Sequence, residues 1–299
     1  MKIEGAFELL SPLSHIGESI STESYLNEEP VVQTDGSIRN VFVYNGNAWR
    51  GQLRDLAVAF MLDRLELRVQ MPAFHLLFSG GSIGAGQNVD LAQARELRAV
   101  LPVVSLFGGG VGNQILAGKL AVWNAYPVCE ETRRLLPPLY AEGAMRPYGE
   151  LTFQKSFTRT DDSKEPQFDR YKERPDFLPE DAPPPPETAT QQMRYTAELL
   201  APGTVLYTAI TMQMETLEEV GALVSALERF SNWPFIGGQA RMGHGRVSLG
   251  YRNSDGEQFV TVCDGEVALS SEAQRALLAY CDHLDAQSEA IAQALSQVA

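Results

Sequence analysis

Cysteine is scarce. Three residues in 299 (Cys129, Cys263 and Cys281) are an odd, widely spaced set with no CxxC pair. Neither a disulfide framework nor a thiolate zinc site is expected, and a reducing cytoplasm is the expected setting. Histidine is also sparse, with four residues at 15, 75, 244 and 283, scattered rather than grouped. No apolar run approaches the roughly 18–20 residues that span a bilayer, so no membrane partner is expected. The first residues, Met1-Lys2-Ile3-Glu4-Gly5, lead into strand-like alternation rather than a signal-peptide apolar block. Positive charge is short too. Lys and Arg number 24 against 38 Asp and Glu, a net charge of −14, which on its face argues against nucleic acid.

The distribution of that charge changes its meaning. Residues 1–35 carry seven acids and Lys2, and residues 253–299 carry eight acids and Arg275. The middle of the chain is nearly neutral and has room for a local basic stripe. With 44% hydrophobic and 21% charged residues, the composition is that of an ordinary globular protein. The length suits one large domain with insertions or two ordinary ones.

Hydrophobic spacing predicts a strand over 3–10 and a short strand at Val41-Phe42-Val43-Tyr44, with turn-rich chain between. Asn47 is the expected N-cap of a helix over 48–65. Trp49, Leu53, Leu56 and Phe60 share one face of it, and Arg50 and Arg54 lie beside that stripe. Residues 73–120 are glycine-rich, and 155–190 are charged and proline-rich, ending in Pro183 to Pro186; the latter reads as an extended arm or a mobile loop rather than core. A strand over 204–214, a helix over 216–230, a glycine loop at 237–245 and a strand over 246–251 follow. An acidic amphipathic helix is expected from about 270 to 297. This order suggests a single α+β domain of ferredoxin-like (RRM-like) type over 1–299. Its expected insertions are about 67–150 and 155–195, with an acidic C-terminal extension at 252–299.

Two nucleotide motifs fail on spacing. Gly110-Val111-Gly112-Asn113-Gln114-Ile115 lacks the third glycine of a dinucleotide loop. Gly112 to Gly118-Lys119-Leu120 is one residue too long for a phosphate loop, and Leu120 replaces its Ser/Thr. The acids Glu18, Glu23, Glu28, Glu29 and Asp35 are a solvated acidic loop before they are a metal site, and neither metal nor cofactor is expected. His15 is a candidate general base, although a lone histidine beside a turn is more often structural.

Two features survive. Asn45-Gly46-Asn47-Ala48-Trp49-Arg50-Gly51-Gln52-Leu53-Arg54 puts two arginines on the first turns of a helix. Helix-end partial charge and guanidinium forks suit phosphate there, a surface arginine pair being the plain alternative. Gly237-Gly238-Gln239-Ala240-Arg241-Met242-Gly243-His244-Gly245-Arg246-Val247 has four glycines that let backbone amides approach an anion. From Gly36 to Arg54, and again from Phe235 to Arg252, there are three arginines and no acid. If the two segments pack together they form a basic patch on an acidic protein.

These segments resemble the RAMP superfamily of CRISPR-associated proteins. Leu10-Ser11-Pro12-Leu13-Ser14-His15-Ile16-Gly17 looks like that family's N-terminal turn, Gly46 to Arg54 like its helix start, and Gly237 to Arg246 like its terminal glycine-rich loop. Ser105-Leu106-Phe107-Gly108-Gly109 resembles a segment of the backbone subunits. Phe157-Thr158-Arg159-Thr160-Asp161, with the later Tyr195 to Thr204, resembles the frame around their thumb hairpin. The Gly108 to Cys129 stretch looks most like the type IV version.

The resemblance implies a palm with finger and thumb elements that coats guide crRNA through phosphates and sugars, independent of sequence. It implies further copies stacked head to tail, a target DNA or RNA read by base pairing, other effector subunits and a helicase as partners, and defence against elements such as plasmids. On this reading Asn47, Arg50, Arg54, Arg159, Gly237, Gly238, Arg241, Gly243, His244, Gly245 and Arg246 contact RNA. The loop residues Gly109, Gly110, Asn113 and Gln114 form a second contact, and no residue is catalytic. The alternatives are a RAMP endoribonuclease processing precursor crRNA with His15 as general base, and an interaction domain with no nucleic acid.

Overall fold

The computed structural model describes residues 1–81, 91–111, 114–158 and 194–298. In chain order the strands are β1 (Lys2–Leu9), β2 (Ile16–Ile20), β3 (Glu23–Leu26), β4 (Glu28–Val32), β5 (Ile38–Phe42), β6 (Gly109–Val111), β7 (Gln114–Leu116), β8 (Leu120–Val122), β9 (Tyr126–Pro127), β10 (Thr152–Thr158), β11 (Arg194–Leu200), β12 (Val205–Met212), β13 (Val247–Arg252), β14 (Gln258–Cys263) and β15 (Glu266–Leu269). The helices are α1 (Gly46–Arg64), α2 (Met71–Phe74), α3 (Leu91–Val100), α4 (Pro102–Phe107), α5 (Pro138–Ala141), α6 (Leu217–Phe230), α7 (Ser271–Ala286) and α8 (Ser288–Ser296).

The main sheet runs β15-β14-β13-β1-β12-β8, with β9 also pairing β12, and every pairing is antiparallel. Strand β1 is central because it is flanked on both edges, Phe7 lying opposite Leu206 on one side and Leu249 on the other. Its alternation puts Ile3, Phe7 and Leu9 fully into the core. Helix α1 buries Trp49, Leu53, Ala57 and Met61 at i, i+4 steps. Trp49 sits edge-on to Phe7 and Phe230, at centroid distances of 5.2 and 4.9 Å, and donates Nε1–H to Tyr251 Oη at 3.0 Å. Helix α6 starts at a capping box: Thr216 Oγ1 takes the Glu219 N–H, and the Glu219 carboxylate takes the Thr216 N–H at 2.9 Å.

Several expectations need correction. The N-cap of α1 is Asn45, not Asn47, and the helix begins two residues earlier than expected, at Gly46, whose N–H is received by Asn124 Oδ1 at 2.9 Å. The turn-rich stretch before it holds the hairpin β2–β3 and the ribbon β4–β5. Only the end of β5, at Val41 and Phe42, was legible; the rest was not, because the exposed edges carry little apolar alternation. Residues 252–299 are not an appended acidic extension. Strands β14 and β15 widen the main sheet, and α7 and α8 bury Ala273, Ala276, Tyr280, Leu284, Ile291 and Leu295. Gly221 of α6 faces the Ala276 carbonyl, where any Cβ would collide, so α6 and α7 pack backbone to backbone. The tail's acids sit on the outer side of these helices, which break at Gln287.

Strands β10 and β11 pair antiparallel, and β11 runs parallel to β3, making a second sheet β10-β11-β3-β2. This hairpin is the root of the predicted arm. The arm beyond it, with Arg159, and Asn113 in the glycine segment lie outside the described residues.

Candidate nucleic-acid interface

The two arginine-bearing segments meet across the start of α1. Gln52 Nε2 donates to the Phe235 carbonyl at 2.9 Å, just before the glycine loop. The loop in turn docks on the N-terminal turn: Gly238 N–H reaches Ser14 O at 2.6 Å, and Gly245 N–H reaches Pro12 O at 2.7 Å. Gly237 and Gly245 have φ of +72° and +82°, and a side chain at either would strike backbone carbonyls, of Ser14 and Ile236 respectively. Glycine therefore lets three polypeptide segments close on one another, with the turn Ala240–Met242 projecting outward.

One flank of α1 carries Arg50 and Arg54. They line an open cleft of about 380 Å³ with Gly80, Gly81, Phe107, Gly109, Gly110 and the 115–118 segment. The structure therefore joins the helix-start arginines with the glycine segment at 109–110, two features far apart in sequence. Arg54 is buried on the core side, not beside the apolar stripe as expected. Its Nη2 donates to the Phe107 and Gly108 carbonyls at 2.6 and 3.0 Å, and Arg50 Nη2 also donates to the Phe107 carbonyl. These carbonyls close the C-terminal end of α4, where partial negative charge accumulates. Gly80, at φ +81°, leaves room for Arg54: a Cβ there would lie 2.6 Å from Nη1. Burial lowers the pKa of both arginines, and for Arg54 the neighbouring Arg50 lowers it further, Asp55 acting the other way. Two desolvated guanidiniums facing carbonyls rather than a carboxylate leave the cleft positive. Asn47 is exposed on the second position of α1, and Gln114 on β7 turns its amide to the Ile115 carbonyl.

The other flank is the glycine loop. Arg241 is exposed and makes no ion pair among the described residues. Arg246 is different. The segment contains no acid, but Asp264 arrives from the β14–β15 turn and pairs with it at 2.9 Å. Arg246 is therefore not free of acids, because absence along the chain is not absence in space. The Asp264-Gly265 pair between two apolar runs marks a turn in the sequence, but not its place beside Arg246.

Sequence reasoning missed the aromatic neighbours of this loop. Phe157 on β10 and Tyr195 on β11 are cross-strand partners and stack at 5.1 Å, 16° from parallel. His244 lies edge-on to Phe157 at 5.9 Å, Lys155 Nζ is 5.4 Å from the same ring centre, and Tyr195 Oη is 4.0 Å from Met242 Sδ. Period-2 spacing in both arms of the hairpin carried this information, but the register that aligns Phe157 with Tyr195 requires the fold. His244 is buried. Its burial lowers its pKa, Lys155 adds to the effect, and the Pro12 carbonyl opposes it. His15 packs edge-on to Tyr44 at 5.0 Å and Phe42 at 6.2 Å, and burial lowers its pKa as well. Both imidazoles are held toward the neutral form.

The rejected motifs also have assigned partners. Lys119, in the place of a phosphate-loop lysine, pairs with both oxygens of Glu219 at 2.7 and 2.9 Å. Glu28 and Glu29 accept from Tyr148 and Tyr126, and Asp35 accepts from Ser37.

Residues 6–248 match the family model of the RAMP superfamily. The chain belongs to the RAMP superfamily. Its fold is similar to that of a chain in a solved structure described as "Type IV-B CRISPR Complex", with a TM-score of 0.60 and 19% identity, covering 85% of this chain and 91% of that one. No curated protein matches. No helix among the described residues is long and apolar enough to cross a membrane.

Proposed function

We propose that this RAMP protein is a backbone subunit of a type IV CRISPR effector complex, coating guide crRNA and presenting it for pairing with target DNA or RNA. The observation that carries this reading is the glycine loop. It is fastened to the N-terminal turn by backbone bonds, carries an open arginine, and stands beside an aromatic hairpin root. Such a surface grips phosphates and sugars without reading bases. The fold likeness to a chain of a type IV-B complex points to the subtype.

In this reading β1, α1, β8, β12, α6 and β13 are a ferredoxin-like palm, since they alternate as strand-helix-strand twice and lie in the order β13-β1-β12-β8. The insertion at about 67–150, apart from β8, supplies fingers, and the β10–β11 hairpin carries the thumb. Further copies stack along the guide, other effector subunits and a helicase join them, and the assembly acts against plasmids. The subunit is a scaffold rather than an enzyme.

The test is binding of single-stranded RNAs of unrelated sequence to the full-length protein. Equal affinities that fall together with salt are expected. Affinity confined to one sequence would contradict backbone coating. Metal-independent cleavage abolished by His15→Ala would favour the endoribonuclease reading, for which a neutral His15 is chemically apt.

A further inference from the structure

Buried polar atoms normally have partners, and leaving one unpaired is destabilising. Here such atoms fall mostly on two segments that backbone hydrogen bonds tie together. Ser14 Oγ, His15 Nε2 and Gln239 Oε1 are buried without a hydrogen-bond partner. Both ring nitrogens of His244 are buried too and lack a partner at hydrogen-bond geometry, although burial lowers the imidazole's pKa and the Pro12 carbonyl is close enough to raise it. Among the described residues only Thr204 Oγ1 and Tyr280 Oη share that condition elsewhere. The four clustered residues belong to the N-terminal turn and the glycine loop, the two segments that Gly238 N–H···O Ser14 ties together. Within the loop, His244 N–H reaches back to the Gln239 carbonyl at 3.4 Å.

The chemistry of the set is specific. A hydroxyl, two imidazoles and an amide carbonyl carry no formal charge when the imidazoles are neutral. They suit a ligand atom that is itself neutral and both donates and accepts. A phosphate does not fit that description; the neighbouring Arg241 does suit a phosphate. Gly243, between them, has φ +83° and open space around it, so a ligand can approach this side of the turn. Ser14 and His244 are each more than nine-tenths buried, which makes the set a built feature rather than a solvated surface.

We propose that Ser14, Gln239 and His244, with His15 behind them, form a pocket for the ribose 2′-hydroxyl of bound RNA. The 2′-hydroxyl is the group that distinguishes RNA from DNA, and it is both donor and acceptor. The aromatic hairpin root and Arg241 hold base and phosphate on either side of it. The pocket makes the subunit select RNA by its sugar while remaining indifferent to base sequence. This inference rests on the reading of the protein as an RNA-coating subunit.

The test compares mixed-sequence single strands of identical sequence with ribose and with 2′-deoxyribose sugars, on the full-length protein. Wild type is expected to prefer ribose by roughly tenfold or more, the consequence of leaving a site's polar atoms unpaired with the deoxy strand. His244→Phe keeps an aromatic ring against Phe157, and Ser14→Ala removes only the hydroxyl. Each is expected to bring the two sugars toward parity, with ribose binding weakened by a larger factor than deoxyribose binding. Equal binding of both sugars by wild type would overturn the pocket while leaving RNA coating intact. Loss of both sugars by the same factor in both variants would also overturn it, because that is the signature of a purely structural role. Binding of neither strand by wild type would overturn the coating reading itself, and the pocket with it.

Discussion

In the α1 cleft the guanidiniums of Arg50 and Arg54 already end on the chain's own carbonyls, whereas on the glycine loop Arg241 ends in open solvent. Both segments looked equivalent as acid-free arginine stretches. The difference lies in what else the fold delivers to each. The end of helix α4 delivers two backbone carbonyls to the first, where burial makes Arg54 part of the scaffold. The β14–β15 turn delivers one carboxylate to the second, where exposure keeps the pairing weak and exchangeable. A positive residue can thus be structural, available, or held by a competitor, and only spatial neighbours decide which.

The comparison breaks most readily at Arg54. Arg54→Ala removes a buried side chain and leaves the Gly108 carbonyl without its donor, the Phe107 carbonyl keeping Arg50, so a loss of about 2–3 kcal/mol is expected in urea unfolding. An unchanged midpoint would mean Arg54 is not a scaffold residue. Gly80→Ala forces a Cβ onto Arg54 at a positive φ and should cost about 1–2 kcal/mol in the same assay.

On the other side of the comparison, Arg241→Ala should leave unfolding unchanged. It should weaken RNA binding for all sequences alike and reduce the magnitude of the slope of log K against log salt by about 0.7, the share of one phosphate. A stability loss would place Arg241 with the scaffold arginines. Asp264→Asn frees Arg246 and is expected to tighten RNA binding by up to about fivefold, the range of an exposed ion pair. Weaker binding would show that Asp264 positions Arg246 rather than competing for it.

The last effect is one of pH. The folded-state pKa values of His15 and His244 lie below their unfolded values, mainly through burial. Between those values the unfolded chain binds more protons, so their contribution is fully present above pH 6.5 and is lost as pH falls through that region. His244→Phe should reduce the acid-side loss; an unaltered pH profile would mean His244 titrates normally.

Much of the layout was legible because it rests on local periodicity. Trp49, Leu53, Val220, Val224 and Leu227 marked their helices, and alternation marked β1, β12 and β13. The glycine loop could be recognised because its residue types are unusual. The hairpin β2–β3, β4 and the start of β5 were not legible, since Ile16, Ile20, Val32 and Ile38 face solvent and break the usual pattern. Neither Asp264 opposite Arg246 nor Phe107 above Arg54 could be read, because each pairing joins residues brought together only by sheet register and helix packing. The acidic tail misled for a related reason. Net charge is a property of its outer face, while Tyr280, Leu284 and Ile291 on the inner face make it core.

The measurement that tests the central claim most directly is made on the natively purified protein, expressed with its guide locus. Absorbance at 260 and 280 nm is recorded, and bound nucleic acid is extracted and sequenced. Co-purifying RNA of uniform length with repeat-derived ends is the expected result. Protein free of nucleic acid under those conditions would contradict the coating role and assign the arginine segments to another partner.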